Sequence, residues 1–154
     1  MESPVHIAPL NPIFFAPVRP GGLPGWQVKQ VTDYIDANLD ATLRTASLAA
    51  TVGLSVSHFT RAFKHSVGVP PRVYVIRRRL AAACAAMLAS DAPLTAIAHA
   101  HGFCDQSHFT RTFHETIGLA PHAWRCGNLQ KCVRKGRLNT LPGENNEIST
   151  KLVS

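Results

Sequence analysis

The 154-residue sequence lacks any apolar run long enough to cross a bilayer, which takes about 20 residues. It also lacks a secretory leader, because Pro9, Pro12 and Pro17 interrupt the first residues and the apolar segment at 13–15 is very short. Its four cysteines are irregularly spaced, as in proteins whose thiols stay reduced. These absences predict a reduced, cytoplasmic protein without a membrane partner.

Acidic side chains are also scarce in this chain. Nine Asp and Glu stand against sixteen Lys and Arg, for a formal net charge of +7. The imbalance is concentrated, because residues 41–137 hold thirteen of the basic residues and only three acidic ones. Such a concentration favours polyanionic partners, either nucleic acid or an anionic membrane surface, and charge alone does not separate the two.

Motifs for metal binding and catalysis are lacking as well. His99, His101, Cys104 and His108 are zinc-ligand types in close succession. Two residues apart on a helix, however, His99 and His101 would project about 200° from each other. No Cys-x-x-Cys or His-Glu-x-x-His pair accompanies them, and Cys104 has no evident base beside it. We therefore expect no metal, no cofactor and no enzymatic activity.

What the sequence does contain is one phrase used twice, fifty positions apart. Residues 57–63 read SHFTRAF and residues 107–113 read SHFTRTF. A short apolar segment and a glycine turn precede each phrase, at residues 48–55 and 97–104. The likeness continues downstream through three further pairs, Gly68 with Gly118, Pro71 with Pro121, and Tyr74 with Trp124. Such repetition indicates one supersecondary unit used twice, and its pattern is that of a helix-turn-helix.

Helical periodicity predicts an all-α fold in which two helix-turn-helix lobes are joined by a long central helix. Predicted helices cover residues 24–39, 45–52, 56–67, 72–89, 95–100 and 105–117, and a short last helix starts near Pro121. Thr95 is a candidate N-cap. Residues 1–23 are predicted to be a Pro/Gly-rich linker or disordered lead-in, 24–125 the double helix-turn-helix domain, and 126–154 a disordered tail, basic and then polar.

The polar faces of the helices at 56–67 and 105–117 carry side chains suited to DNA. Arginine forms two-pronged bonds to guanine, glutamine to adenine, and threonine offers a methyl group and a hydroxyl. The predicted base-reading residues are Ser57, Thr60, Arg61, Gln106, Ser107, Thr110 and Arg111. The predicted phosphate contacts, which position a protein without reading sequence, are Lys64, Arg77, Arg79, His108 and His114.

These repeated motifs resemble the DNA-binding domain of AraC-family (AraC/XylS) bacterial transcription regulators over about residues 24–125. The resemblance rests on the two 7-residue phrases, on the apolar segment and glycine turn before each of them, and on the Gly and Pro after each of them. It implies seven helices, with the third and sixth entering adjacent major-groove segments and the fourth acting as a rigid connector. It also implies base contacts from the seven residues named above, and transcription regulation as the function, as an activator or a repressor.

Some features depart from the family pattern. Arg44 and Thr45 stand where the family commonly has a Ser or Thr and then an apolar residue, so the first unit is expected to be less well capped. Cys104 stands where a serine N-cap is usual. We expect the second lobe to carry more of the specificity. The short lead-in leaves open a stand-alone binder or the truncated end of a longer regulator.

The expected partner is double-stranded DNA of a promoter or operator, with RNA polymerase as a candidate second partner. The chain is expected to act as a monomer without a small-molecule effector site. An alternative function is that of a truncated or non-specific DNA-binding module without regulatory activity. The affinity for a selected operator relative to random duplex distinguishes the two.

Overall fold

The computed structural model describes residues 21–137, with side chains through residue 129. All regular secondary structure in this part of the chain is α-helix, with no strand within it. The seven helices are α1 Gly25–Ala37, α2 Thr45–Thr51, α3 Val56–Val67, α4 Pro71–Ala89, α5 Leu94–Ala100, α6 Gln106–Ile117 and α7 Pro121–Arg137. They confirm the predicted all-α class, and most boundaries agree within one or two residues, which is the usual uncertainty of helix ends.

Two hydrophobic cores divide the helices into two lobes. The first lobe is built from α1, α2, α3 and the first turns of α4, around Phe59 and Phe63. The second lobe is built from the rest of α4 with α5, α6 and α7, around Phe109 and Phe113. All four rings are fully buried, as the repeat predicts. Truncating such an aromatic to alanine typically costs about 3–5 kcal/mol, a large part of the stability of a small lobe.

The aromatic contacts repeat between the lobes. Phe63 meets Tyr74 edge-on, with ring centroids 5.6 Å apart, and Phe113 meets Trp124 in the same manner at 5.9 Å. Tyr74 lies on α4 and Trp124 on α7, so α3 and α6 are each packed against the helix that follows them. The second half of each repeat, as well as its central phrase, therefore has a structural role.

The lead-in residue Leu23 belongs to the first core. Its side chain is buried, its backbone N–H donates to Ser66 Oγ at 2.7 Å, and Ser66 Oγ donates back to the Leu23 carbonyl at 3.2 Å. Packing thus begins one residue before the predicted domain boundary. Residues 1–20, predicted to be a linker or disordered lead-in, lie outside the described residues.

The last helix is longer than the sequence analysis predicted. The predicted tail starts at residue 126, whereas α7 continues to Arg137. Residues 126–137 lack apolar periodicity and include two glycines, but they contain no proline, and six of the twelve are Lys, Arg, Gln or Leu, which are good helix formers. The remaining predicted tail, residues 138–154, lies outside the described residues.

Helices α3 and α6 have matching N-caps. Ser55 Oγ accepts a hydrogen bond from the His58 backbone N–H at 3.3 Å, and Asp105 Oδ1 accepts one from the His108 backbone N–H at 2.7 Å. The prediction that Cys104 occupies the N-cap position of α6 is therefore wrong. The turn before α6 contains one residue more than the turn before α3, and Cys104 is that additional, exposed residue.

The first helix of each unit begins without a side-chain cap. Arg44 precedes α2 and makes no capping hydrogen bond, as expected. Pro93 precedes α5 and makes none either, so the prediction of Thr95 as N-cap is wrong. The two units are therefore alike in this respect, and the first is not the more weakly capped.

Candidate nucleic-acid interface

Helix α3 separates its apolar and polar side chains cleanly. Phe59, Ala62 and Phe63 are buried against the first core. Ser57, Arg61 and Lys64 lie on the opposite face and are exposed. The position of Arg61 leaves its guanidinium accessible from solvent, as a base-reading role requires.

Thr60 is the exception on this face. Its side chain is half-buried, and its Oγ1 donates to the Val56 carbonyl at 2.7 Å. The hydroxyl proton is therefore already used within α3. What Thr60 can offer to a ligand is its methyl group and the two lone pairs of its oxygen, which narrows the predicted role to contact with a thymine methyl or acceptance of a hydrogen bond.

Helix α6 gathers the second set of predicted residues around one open groove of about 610 Å³. The groove is lined by Gln106, Ser107, Thr110, Arg111, His114, Glu115 and Ala120. All four predicted base-reading residues of the second lobe therefore share one surface, together with the predicted phosphate contact His114. The buried face of the same helix holds Phe109, Phe113 and Ile117.

Gln106 is oriented by a residue outside its own helix. Thr95 Oγ1 on α5 donates to Gln106 Oε1 at 2.6 Å. This bond uses one of the two lone pairs of the amide oxygen and fixes which side of the amide faces Thr95, so the amide nitrogen is left to donate to a ligand. Sequence reasoning identified Thr95 as a cap and missed this role, since a contact between residues on different helices has no local sequence signature.

Glu115 is a groove residue that the sequence analysis did not select. It lies one helical turn after Arg111, and both line the groove. A carboxylate in such a place can accept a hydrogen bond from the amino group of cytosine, but it repels phosphate. Its spacing from Arg111 was the available signal, because residues four apart share a helix face.

The predicted phosphate contacts fall into two groups. Lys64, Arg77, His108 and His114 are exposed and free to meet a backbone phosphate. Arg79 is not, because its Nη1 donates to the Gly102 carbonyl at 2.7 Å and its Nη2 to the Ala41 carbonyl at 2.6 Å. The assignment of Arg79 as a phosphate contact is therefore corrected: its guanidinium joins two loops of the protein.

The neighbouring Arg78 is also engaged within the protein. Its Nε and Nη2 donate to the two carboxylate oxygens of Asp36 at 2.6 and 2.7 Å, a two-pronged ion pair between α4 and α1. Of the three successive arginines, only Arg77 points its charge into solvent. The run of charge at residues 77–79 thus serves mainly to fix α4 against its surroundings.

The residues around this interface offer little for metal binding or nucleophilic chemistry. Within the part of the chain that the structure describes, no three His, Cys, Asp or Glu side chains converge as a metal site would require. Burial raises the pKa of the Cys84 thiol to about 11, so this thiol is a poor nucleophile at neutral pH. None of the helices in the described residues is sufficiently long and apolar to cross a membrane.

Comparison with known proteins places this arrangement in a family. A family described as a helix-turn-helix domain matches residues 48–126, about half of the chain. A probable AraC family transcriptional regulator from Rhodopseudomonas palustris is 31% identical, with a TM-score of 0.56 over 63% of this chain and 92% of that one. This chain belongs to the AraC family of helix-turn-helix DNA-binding transcription regulators.

Further relatives agree with that assignment. An AraC-type transcriptional regulator from Chromobacterium violaceum is 26% identical, with a TM-score of 0.61 over 65% of this chain and 89% of that one. The DNA-binding domain of AdpA, solved with a target DNA, shares the fold at 23% identity, with a TM-score of 0.63 over 74% of this chain and 98% of that domain.

One relative is known from its sequence. The probable transcriptional regulator LumQ of Photobacterium leiognathi is 32% identical over 77 residues. Those residues are 50% of this chain and only 31% of that regulator. The chain therefore matches the DNA-binding part of AraC-family proteins and spans less than a third of this full-length relative.

Proposed function

We propose that this chain binds double-stranded DNA sequence-specifically by placing α3 and α6 in adjacent segments of the major groove, and thereby regulates transcription. One observation carries the proposal: two helices of the same fold each bury an aromatic face and expose an arginine at the same repeat position, Arg61 and Arg111. A major groove about 12 Å wide admits such a helix.

In this proposal the base-reading surface has two parts. Ser57, Thr60 and Arg61 read one segment from α3. The α6 groove supplies the second part, from Gln106, Ser107, Thr110 and Arg111. The accessible guanidinium groups of Arg61 and Arg111 suit guanine, and the free amide nitrogen of Gln106 can donate to a base acceptor. Each good two-pronged contact discriminates against a wrong base by about 1–3 kcal/mol.

Phosphate contacts come from the exposed cations near these surfaces. Lys64, Arg77, His108 and His114 are the proposed set, and Arg79 is left out because its guanidinium is bound within the protein. Such contacts release counterions from DNA, so binding should weaken steeply as salt is raised. They supply affinity for every duplex, whereas the base-reading residues supply the difference between duplexes.

The proposed domain extends from Leu23 to the end of α7. Leu23 is included because its side chain is buried in the first core and its backbone is bonded to Ser66. Residues 126–137 are included because they continue α7.

Selection from random duplexes tests the proposal. The purified chain is used to enrich a site, and its affinity for that site is compared with its affinity for random duplex at one stated salt concentration. A sequence-specific regulator gives a ratio of about 10³–10⁷. A ratio near one would contradict the proposal and leave only non-specific binding to polyanions.

A further inference from the structure

Arg79 lies where the two lobes meet. It is in the middle of α4, the helix that contributes to both cores. Its Nη2 donates to the carbonyl of Ala41, in the connection between α1 and α2 of the first lobe. Its Nη1 donates to the carbonyl of Gly102, in the turn between α5 and α6 of the second lobe. One side chain therefore bonds to the backbone of both lobes.

The backbones are also in close contact at this point. A Cβ atom added to Gly102 would lie 2.5 Å from the Leu39 carbonyl oxygen and 2.7 Å from the Arg79 Cζ. Gly102 has φ of +74°, a conformation that favours glycine on its own account. The turn before α6 thus rests directly on the end of the first lobe, and there is no room for even a methyl group between them.

The environment of the guanidinium indicates that this contact is a fixed one. Burial lowers the pKa of Arg79, which means that its charge is partly withdrawn from water. Its Nε is buried and has no hydrogen-bond partner among the described residues. A cation in such a place depends on the two carbonyl bonds it does make, so separating the lobes would leave it poorly satisfied.

The ion pair of Arg78 adds a second side-chain link, between α4 and the first lobe. It holds α4 against α1 through the two oxygens of Asp36. The orientation of α4 relative to the first lobe is thereby fixed, and Arg79 then ties the turn before α6 to that same body. The two recognition helices are consequently connected by side-chain bonds as well as by the helix between them.

We propose that the Arg79 bridge, together with the Gly102–Leu39 contact, fixes the position of α6 relative to α3 and so restricts the chain to DNA sites with one spacing between their two segments. This inference rests on the proposed function. Inserting one base pair moves the second segment by about 3.4 Å and rotates it by about 35° around the duplex. Lobes held by this bridge as well as by α4 cannot follow that displacement, whereas lobes joined by α4 alone have more freedom to adjust.

The experiment measures affinity for the selected site and for versions with one or two base pairs inserted between its two segments. We expect the native chain to lose roughly tenfold or more for a one-pair insertion, since one lobe loses its base contacts. Arg79→Met removes both hydrogen bonds to the carbonyls but keeps an apolar stem of similar length. The affinity that this variant loses on insertion should be several-fold smaller. Arg72→Met, on the same helix but exposed and outside the proposed DNA contacts, is the control and should retain the native loss of affinity on insertion.

A second pair of variants separates lobe contact from backbone strain. Gly102→Ala introduces the methyl group that the junction cannot hold. Gly53→Ala is its control, because Gly53 has φ of +67° at the corresponding place in the first turn, with nothing within 4 Å of an added Cβ. The inference is supported if inserted base pairs cost G102A less affinity than they cost the native chain, while G53A shows the native loss. An unchanged spacing penalty in both R79M and G102A would overturn it while leaving the proposed function intact.

If no DNA site can be selected, that result counts against the proposed function alone. A measurement without DNA then still tests the role of Arg79. Residual dipolar couplings of the native chain should fit one alignment tensor for both lobes, and those of R79M should need two. Circular dichroism checks that R79M keeps its helices. If the lobes of R79M still align as one body, Arg79 does not position them.

Discussion

Thr95 on α5 and Gln106 on α6 are joined by a 2.6 Å hydrogen bond from the Thr95 hydroxyl to the Gln106 amide oxygen. The bond links the two helices of the second unit at the edge of the groove formed by α6. It leaves the amide nitrogen of Gln106 as the group that can donate outward. The threonine thereby positions a residue that we propose reads a base, without lying in the groove itself.

Replacing Thr95 by valine should reduce discrimination between duplexes. The substitution keeps the shape of the side chain but removes the donor, so the Gln106 amide can turn over. We expect affinity for the selected site to fall by roughly threefold to thirtyfold, corresponding to part of one good base contact, while affinity for random duplex stays the same. Thr116→Val, an exposed threonine of α6 that does not line the groove, is the control. Equal losses on both duplexes would show that Thr95 does not act through base recognition.

Arg111 is predicted to contact a base, and Arg77 to contact a phosphate. Arg111→Ala should weaken binding to the selected site by roughly tenfold or more with little change on random duplex, because it removes a base contact. Arg77→Ala should weaken both duplexes alike and lower the slope of log affinity against log salt by about one. Binding isotherms at several salt concentrations measure both effects. If Arg111→Ala lowered the two affinities equally, Arg111 would be a phosphate contact.

The cap of α6 gives a prediction about stability. Asp105→Ala removes the acceptor for the His108 backbone N–H and should lower the free energy of unfolding by about 1 kcal/mol. Cys104→Ala, one residue earlier, should change it by less than about 0.5 kcal/mol because that side chain is exposed and caps nothing. Urea unfolding of the two variants measures the difference. A larger loss in the Cys104 variant would place the cap one residue earlier than the structure does.

His101 makes stability depend on pH. Burial lowers the pKa of His101 below its ordinary value of 6.5, so the unfolded chain binds a proton more readily than the folded one. The contribution of neutral His101 to the free energy of unfolding is therefore fully present above pH 6.5. It is lost as pH falls from 6.5 through the lower pKa of the folded state. His101→Gln should show a shallower decline of unfolding free energy over that window. An identical pH profile for both proteins, or an NMR titration of His101 above 6.5, would contradict this.

The sequence predicted the features that repeat. Phe59 and Phe109, fifty positions apart, each lie in a core because helical periodicity requires that an amphipathic face be buried. The two repeats are offset by 49 residues before the turns and by 50 after them, a difference that places one additional residue in the second turn. Properly followed, that offset would have placed the cap at Asp105.

The bonds between lobes and between helices were not predictable in the same way. Arg79 looks identical to Arg77 and Arg78 in the sequence, and only the fold brings the carbonyls of Ala41 and Gly102 to its guanidinium. Backbone carbonyls are present at every residue, so a contact to them leaves no pattern of residue types. The length of α7 was missed for a different reason, because good helix formers without apolar periodicity resemble a solvated tail.

The central claim is that α3 and α6 occupy two segments of the major groove on one duplex. Methylation protection of guanine N7, an atom of the major groove, tests it most directly on a selected site. We predict two protected clusters on one face, about 10–10.5 base pairs apart, with the Arg61→Ala chain losing one cluster and the Arg111→Ala chain losing the other. A single cluster that either variant abolishes, or uniform protection along the duplex, would contradict the account.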